Sequence, residues 1–240
     1  MALIPFVQLD FAGALGLPDG RYLSREEEGD RVLIVQVFGA PKPPGRLAPR
    51  TRAVDPDDEG AVPVSRITVA FGERFSGERE AEAWLSEAVA SAEERIDMVR
   101  SATLLVNRAL SALRAAAQDP LVQEVGATRA LAIRIGFGDG DELADGRWSE
   151  AREIAPPRRG RLDDVDPQER VAAVLSGRER VHPAETLLER ARLDAQQGRL
   201  QEAGFGLDAA RMALKAHPGE DAARIEERIA EAEGRLSSSS

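Results

Sequence analysis

Between Glu78 and Asp119 the chain carries a long apolar stripe, and this stripe limits its fold more than any other feature. Leu85, Val89, Ala92, Ile96, Val99, Thr103, Val106, Leu110, Leu113 and Ala117 follow one another in alternating steps of four and three, with Thr103 the one polar member. Neither proline nor glycine interrupts the stretch. Such spacing predicts one long amphipathic helix over 78–119, or two joined end to end with a break near Ser91 to Glu94. Ser76 is the expected N-cap. Glu78, Glu80 and Glu82 follow it, and Arg95, Arg100, Arg108 and Arg114 come later, an order that suits the helix dipole.

The stripe does not have one character throughout. From Met98 a second row joins it through Ala102, Leu105, Ala109, Ala112 and Ala116. The later half is therefore expected to pack on two sides, while the earlier half keeps a narrow stripe with acidic flanks. Two arrangements satisfy this pattern: a core helix lying on a sheet, or a self-associating coiled coil sustained over four heptads. In the second, Trp84, Leu85, Val89, Ala92 and Ile96 form the expected partner interface.

Strand periodicity surrounds the helix. Val7, Leu9 and Phe11 alternate with Gln8 and Asp10, which places the two polar residues on the other face. Leu17-Pro18-Asp19-Gly20 has turn chemistry, and a second strand is expected over Arg21-Tyr22-Leu23. After the charged loop Glu26 to Asp30, the run Arg31 to Phe38 is apolar on both faces until Gln36 and reads as a covered strand. These three form an expected antiparallel meander. Pro41, Pro43, Pro44, Pro49 and Pro56 then mark a linker over 40–62, whose charge changes from Arg46, Arg50 and Arg52 to Asp55, Asp57, Asp58 and Glu59. Further strands are expected over Val64 to Phe71 and over 129–136, the helix stopping at Asp119-Pro120. The fold class is α+β: a small, mostly antiparallel sheet on a long helix over 1–155, followed by a helical module over 156–240.

That module opens after Pro156-Pro157. Asp166-Pro167-Gln168-Glu169 starts a helix with Asp166 as N-cap, carrying Val171, Val174 and Leu175. A second helix follows His182-Pro183, a third runs between Gly198 and His217-Pro218, and a fourth begins after Glu220 and Asp221. Ser237 to Ser240 is expected to be a disordered tail. Gly198-Arg199-Leu200-Gln201-Glu202-Ala203 at the turn, with Ala213-Leu214 and Pro218 at the exit, resembles a single degenerate tetratricopeptide-repeat hairpin over 184–218. It departs from the repeat by about one extra helical turn between Ala203 and Ala213. The resemblance implies a helix-pair adaptor shape, not a peptide-binding array.

Composition narrows the chemistry. The net charge of −10 disfavours phosphate-backbone binding, so no nucleic acid is expected. Lys42 and Lys215 are the two lysines beside many arginines, a bias that carries no phosphate signal. The absence of cysteine excludes disulfides, thiolate nucleophiles and Cys-ligated metals. No apolar run reaches 18 residues and no secretory signal is present, so no membrane contact is expected and the cytoplasm is the default compartment. His182 and His217 both sit at helix boundaries before prolines and away from any triad-like motif, so both are expected to be boundary residues and neither a base nor a ligand.

One stretch invites a site. Gly136 to Trp148 is glycine-rich and follows a strand, but Asp139, Asp141 and Glu142 would repel phosphate. Asp139, Asp141, Asp145 and Glu150 fall in a calcium-loop register, with Leu143 and Ala144 where an oxygen ligand and a glycine belong. The alternative is a pair of turns with Trp148 packed back on the sheet. The chain thus reads as a non-enzymatic interaction or assembly protein with a protein partner or self-association, and with no cofactor. The competing reading is a small-ligand or cation-binding protein, or an enzyme, using 136–148.

Overall fold

The computed structural model describes residues 2–25, 30–38, 63–157, 167–219 and 221–238. The proline-rich linker over 40–62, the acidic loop residues 26–29, the Asp166 cap and the final Ser239 and Ser240 lie outside the described residues. The chain divides into two compact units, residues 1–159 and 160–240.

The first unit is α+β. Strands β1 (Leu3–Ala12), β2 (Gly20–Ser24), β3 (Arg31–Phe38), β4 (Val64–Ala70), β5 (Ala130–Asp139) and β6 (Glu150–Ile154) form one sheet in the order β2-β3-β4-β1-β5-β6, every neighbouring pair antiparallel. The expected meander is therefore corrected: β1 does not pair with β2 but lies between β4 and β5. The reason is visible in β1 itself, whose residues from Pro5 to Phe11 are all buried, polar ones included. A strand covered on both faces belongs at the middle of a sheet. β5 extends three residues beyond the expected 136, and β6 adds a strand the periodicity did not announce. Gly136 makes that pairing possible, since a Cβ there would fall 2.3 Å from the Glu150 carbonyl oxygen.

Helices α1 (Glu78–Ala90) and α2 (Ala92–Ala117) cover one face of the sheet. Val7 and Leu9 of β1, Leu33 and Val35 of β3, Ile67 and Val69 of β4, and Ile133 and Ile135 of β5 meet Ala81, Leu85, Val99, Ala102, Leu105, Val106 and Leu110. The second alanine row is buried at Ala102 and half-buried at Ala109, but Ala112 and Ala116 are exposed, so two-sided packing ends before the last turns. Gly77 caps α1 in place of Ser76, whose N–H donates to the Glu80 carboxylate. The Ser76 hydroxyl, which donates to the same carboxylate, and then this N–H hold the exposed Glu80 carboxyl below its ordinary value.

The break between the helices falls at Ser91. Its backbone is extended (φ −77°, ψ 119°), its N–H closes α1 on Glu87 O, and its Oγ accepts the Glu94 N–H at 3.2 Å to start α2. Ser91→Ala removes that acceptor and is expected to lower stability by about 1 kcal/mol. The fluorescence of Trp84, seven residues upstream, provides the readout in a thermal melt.

After α2, the segment 119–126 is tied back by Asn107. This fully buried amide donates to Val125 O and accepts from Val125 N, both at 2.8 Å, as a strand neighbour would. A 3-10 turn, Ala127–Arg129, then leads into β5.

The second unit is helical: α4 (Pro167–Leu175), α5 (Pro183–Gln196), α6 (Leu200–Ala216) and α7 (Ala222–Ser238) follow the one-turn α3 (Gly140–Ala144) of the first unit. Ser237 and Ser238 continue α7, which corrects the expectation of a disordered tail at those two positions. Ala184, Leu188, Ala191, Leu207, Ala210, Leu214, Ile225 and Ile229 make the core of α5, α6 and α7. Here too a glycine sets the approach, since a Cβ at Gly206 would lie 2.8 Å from that of Ala191. No helix among the described residues is long and apolar enough to cross a membrane.

Candidate functional site

Three places gather polar chemistry among the described residues. The first is the acidic glycine-rich stretch. Asp139 is the N-cap of α3, its Oδ1 accepting the Asp141 N–H at 3.0 Å. Asp145 closes α3 and pairs with Arg147 at 3.3 Å, while Glu150 lies on β6 and pairs with Arg152 at 2.7 Å. Three of the four carboxylates proposed as ligands, Asp139, Asp145 and Glu150, are thus spent on local capping and ion pairs. Among the described residues no three acidic or imidazole groups converge on a metal position. Trp148 packs back on the sheet, 6.1 Å from the Phe6 ring.

The second is the sheet face opposite α1 and α2. Cross-strand pairing sets Gln8 beside Thr68 and Arg134, and Asp10 beside Arg66. Arg66 grips Asp10 with Nε and Nη2 at 2.9 and 3.0 Å, and Arg134 Nη1 adds a third bond at 2.8 Å. Arg134 also reaches Gln8 Oε1 at 3.1 Å and Glu153 at 3.0 Å, and Gln8 donates to Thr68 at 3.0 Å. The Trp148 ring lies beside both guanidinium groups, 6.0 Å from Arg66 and 5.9 Å from Arg134. Burial by itself would push the Asp10 carboxyl up. The hydrogen bonds and charges of Arg66 and Arg134 outweigh it and hold the carboxyl below its ordinary value. The same bond raises the Arg66 guanidinium further. A carboxylate so thoroughly bonded is a poor proton acceptor at neutral pH. Its chemistry is structural: it fixes the register of three strands, because a one-residue slip would turn Gln8 and Asp10 into the helix-covered core.

The third is in the helical unit. Val171, Val174 and Leu175 of α4 and Val181 beyond it line an open groove of about 500 Å³ against α5. Val171, Leu175 and Val181 are 56%, 83% and 51% exposed, so α4 leaves much of its apolar stripe uncovered. The groove rests on Glu185, 5% exposed, which receives Arg170 at 2.7 Å, Arg224 at 3.3 Å and Arg228 at 3.4 Å. Arg170 also pairs with Glu179 at 2.6 Å, and its Glu185 and Glu179 bonds raise its guanidinium above the ordinary value. At the start of α5, His182 Nδ1 accepts the Ala184 N–H at 3.0 Å while Glu185 accepts the His182 N–H at 3.4 Å, a reciprocal cap. His182 Nε2 meets His217 O at 2.7 Å, which ties the start of α5 to the end of α6.

The expected partner interface on α1 and α2 is placed differently. Leu85 is 2% exposed and belongs to the core, Trp84 packs on Phe75 with ring centroids 5.3 Å apart, and Val89 also lies against the core. Ala92 and Ile96 face outward, Ile96 with 64% exposure. The structure does not bring the five together on one surface. The groove, by contrast, escaped the sequence reading although Val171, Val174 and Leu175 were visible as a helical stripe. No family model matches the chain, and neither a curated protein nor a solved structure is found to be similar to it.

Proposed function

We propose that this protein is a non-enzymatic interaction or assembly protein that works through the surface of its helical unit. The observation that carries the proposal is the open aliphatic groove, with Leu175 83% exposed above a fully paired ionic base. Apolar side chains left uncovered together on a concave surface mark a contact site more often than isolated ones do. The base adds rigidity rather than reactivity, because the Glu185 carboxylate is already shared among three arginines. The resemblance of 184–218 to a tetratricopeptide-repeat hairpin supports the same reading, as a helix-pair adaptor. Replacing Leu175 by Glu tests it. Because the side chain is exposed, the variant is expected to keep the wild-type melting curve within about 0.5 kcal/mol. Binding of protein partners should fall at least tenfold, measured by quantitative capture on immobilised protein. Unchanged binding by a folded Leu175→Glu chain would remove the groove from the proposal.

A further inference from the structure

We infer that the occupant of the α4–α5 groove is a second copy of this chain, which inserts the outer face of its α6. The inference rests on the interaction reading above and names the partner. Two uncovered apolar features lie on the same helical unit, and they are complementary. The groove offers room and aliphatic walls at Val171, Leu175 and Val181. The outer face of α6 offers two large side chains, Phe205 at 64% and Met212 at 66% exposure. They stand seven residues apart, two helical turns on one side of the helix, about 10 Å along its axis. A groove volume near 500 Å³ accepts side chains of that size.

Charge decides the pairing. The chain joining Leu175 to Val181, both of which line the groove, carries exposed Arg178 and Arg180 on either side of Glu179, whose carboxylate is held by Arg170 at 2.6 Å. On α6 the knobs are flanked by exposed Glu202 and Asp208, at three residues before and three after Phe205. The acid-flanked knobs thus match a cation-flanked groove. Lys215, exposed one turn past Met212, stands at the far end of the α6 face, as exposed Glu189 does on the groove side. Like-with-like contacts are worse in both cases. Groove against groove would bring Arg178 and Arg180 toward their own copies. A two-fold pairing of α6 with itself would set Asp208, midway between the knobs, against Asp208. The contact is therefore between different surfaces, and copies add head to tail instead of closing as a two-fold dimer.

Light scattering and sedimentation of the full chain test this over a range of concentrations. The wild type should grow in mean mass with concentration. Leu175→Glu, with its groove closed, and Phe205→Glu, with its knob removed, should each remain monomeric while keeping the wild-type circular dichroism. An equimolar mixture of the two should give dimers and nothing larger, because each partner keeps one working face. Should either variant misfold, the rim provides the same logic: Arg180→Glu and Asp208→Arg each weaken association at least tenfold, and the chain carrying both regains it. A wild type that stays monomeric to millimolar concentration overturns the inference. So does a mixture that fails to dimerise, or a pair of variants that associate as the wild type does. If the wild type is monomeric yet binds a different protein and loses it on Leu175→Glu, the interaction reading stands and the second copy is excluded as occupant.

Discussion

Asp10→Asn should cost the sheet unit about 3 kcal/mol at neutral pH, although the substitution changes neither volume nor shape. The carboxylate is 6% exposed and holds three guanidinium bonds from two different strands. Removing its charge leaves Arg66 and Arg134, whose side chains are 23% and 20% exposed, facing one another without their common counter-ion. Breaking a buried pair from one side is costly for that reason, and the partial solvent access of the arginines keeps the loss near the lower end of the usual range of roughly 3 to 5 kcal/mol. The apolar replacement Asp10→Leu/Arg66→Met/Arg134→Met should recover much of it, since nothing charged then remains to be desolvated. The effect also has a pH signature. A carboxyl held below 3.8 when folded binds protons less readily than in the unfolded chain. Its stabilising contribution is full above that pH and is lost as the pH falls through the lower, folded value. The gap between wild type and Asp10→Asn should thus stay constant from about pH 7 to 5 and close below about pH 4. Trp84 and Trp148, the two tryptophans, both lie in the sheet unit, so urea titrations followed by their fluorescence report this unit separately. A gap that does not narrow in acid would contradict the assignment of the effect to the Asp10 charge.

This cluster shows where reading the chain reaches its limit. The residues of β3 were legible because a continuous apolar run needs no partner to be recognised, and its bounds agree with the structure. The break at Ser91 was legible as well. Its physical consequence was not: an extended residue between two helices resets their phase, so the stripe Leu85-Val89-Ala92-Ile96 never forms one surface. Leu85 ends in the core and Ile96 in solvent. Alternation sets Gln8 and Asp10 on the polar face of their strand but cannot reveal what pairs with it. Their partners lie 56 to 126 residues away, from Arg66 on Asp10 at the near end to Arg134 on Gln8 at the far end. The edge strand β6 was missed for the opposite reason. Arg152 and Glu153 face water, so the alternation that betrays a half-buried strand is weak there. In the helical unit the pattern located α4 but not its exposure, since burial depends on which neighbour arrives, and none of the described residues covers Leu175.

Glu185→Gln is the corresponding experiment for the second unit, and its expected cost is about 3 kcal/mol, confined to the helical transition. One carboxylate there does two tasks. It caps α5 by accepting the His182 N–H, and it gathers arginines from α4 and α7, at 2.7 Å from Arg170 and at 3.3 and 3.4 Å from Arg224 and Arg228. The amide keeps an acceptor for the cap but leaves three cations around a neutral group at a 5% exposed position. Arg224→Ala separates the two contributions. Its side chain is 44% exposed, and an exposed pair contributes about 1 kcal/mol or less. The sheet unit carries both tryptophans, so the loss should appear in circular dichroism at 222 nm and be absent from the fluorescence transition. Arg170 is the ionic link from Glu185 to α4, the helix that supplies Val171, Val174 and Leu175. Weakening that link should loosen the groove before it unfolds the unit. Association in Glu185→Gln is therefore expected to fall at temperatures where the helical signal is still native, and an unchanged affinity there would show that α4 is held in place by something other than this ion pair.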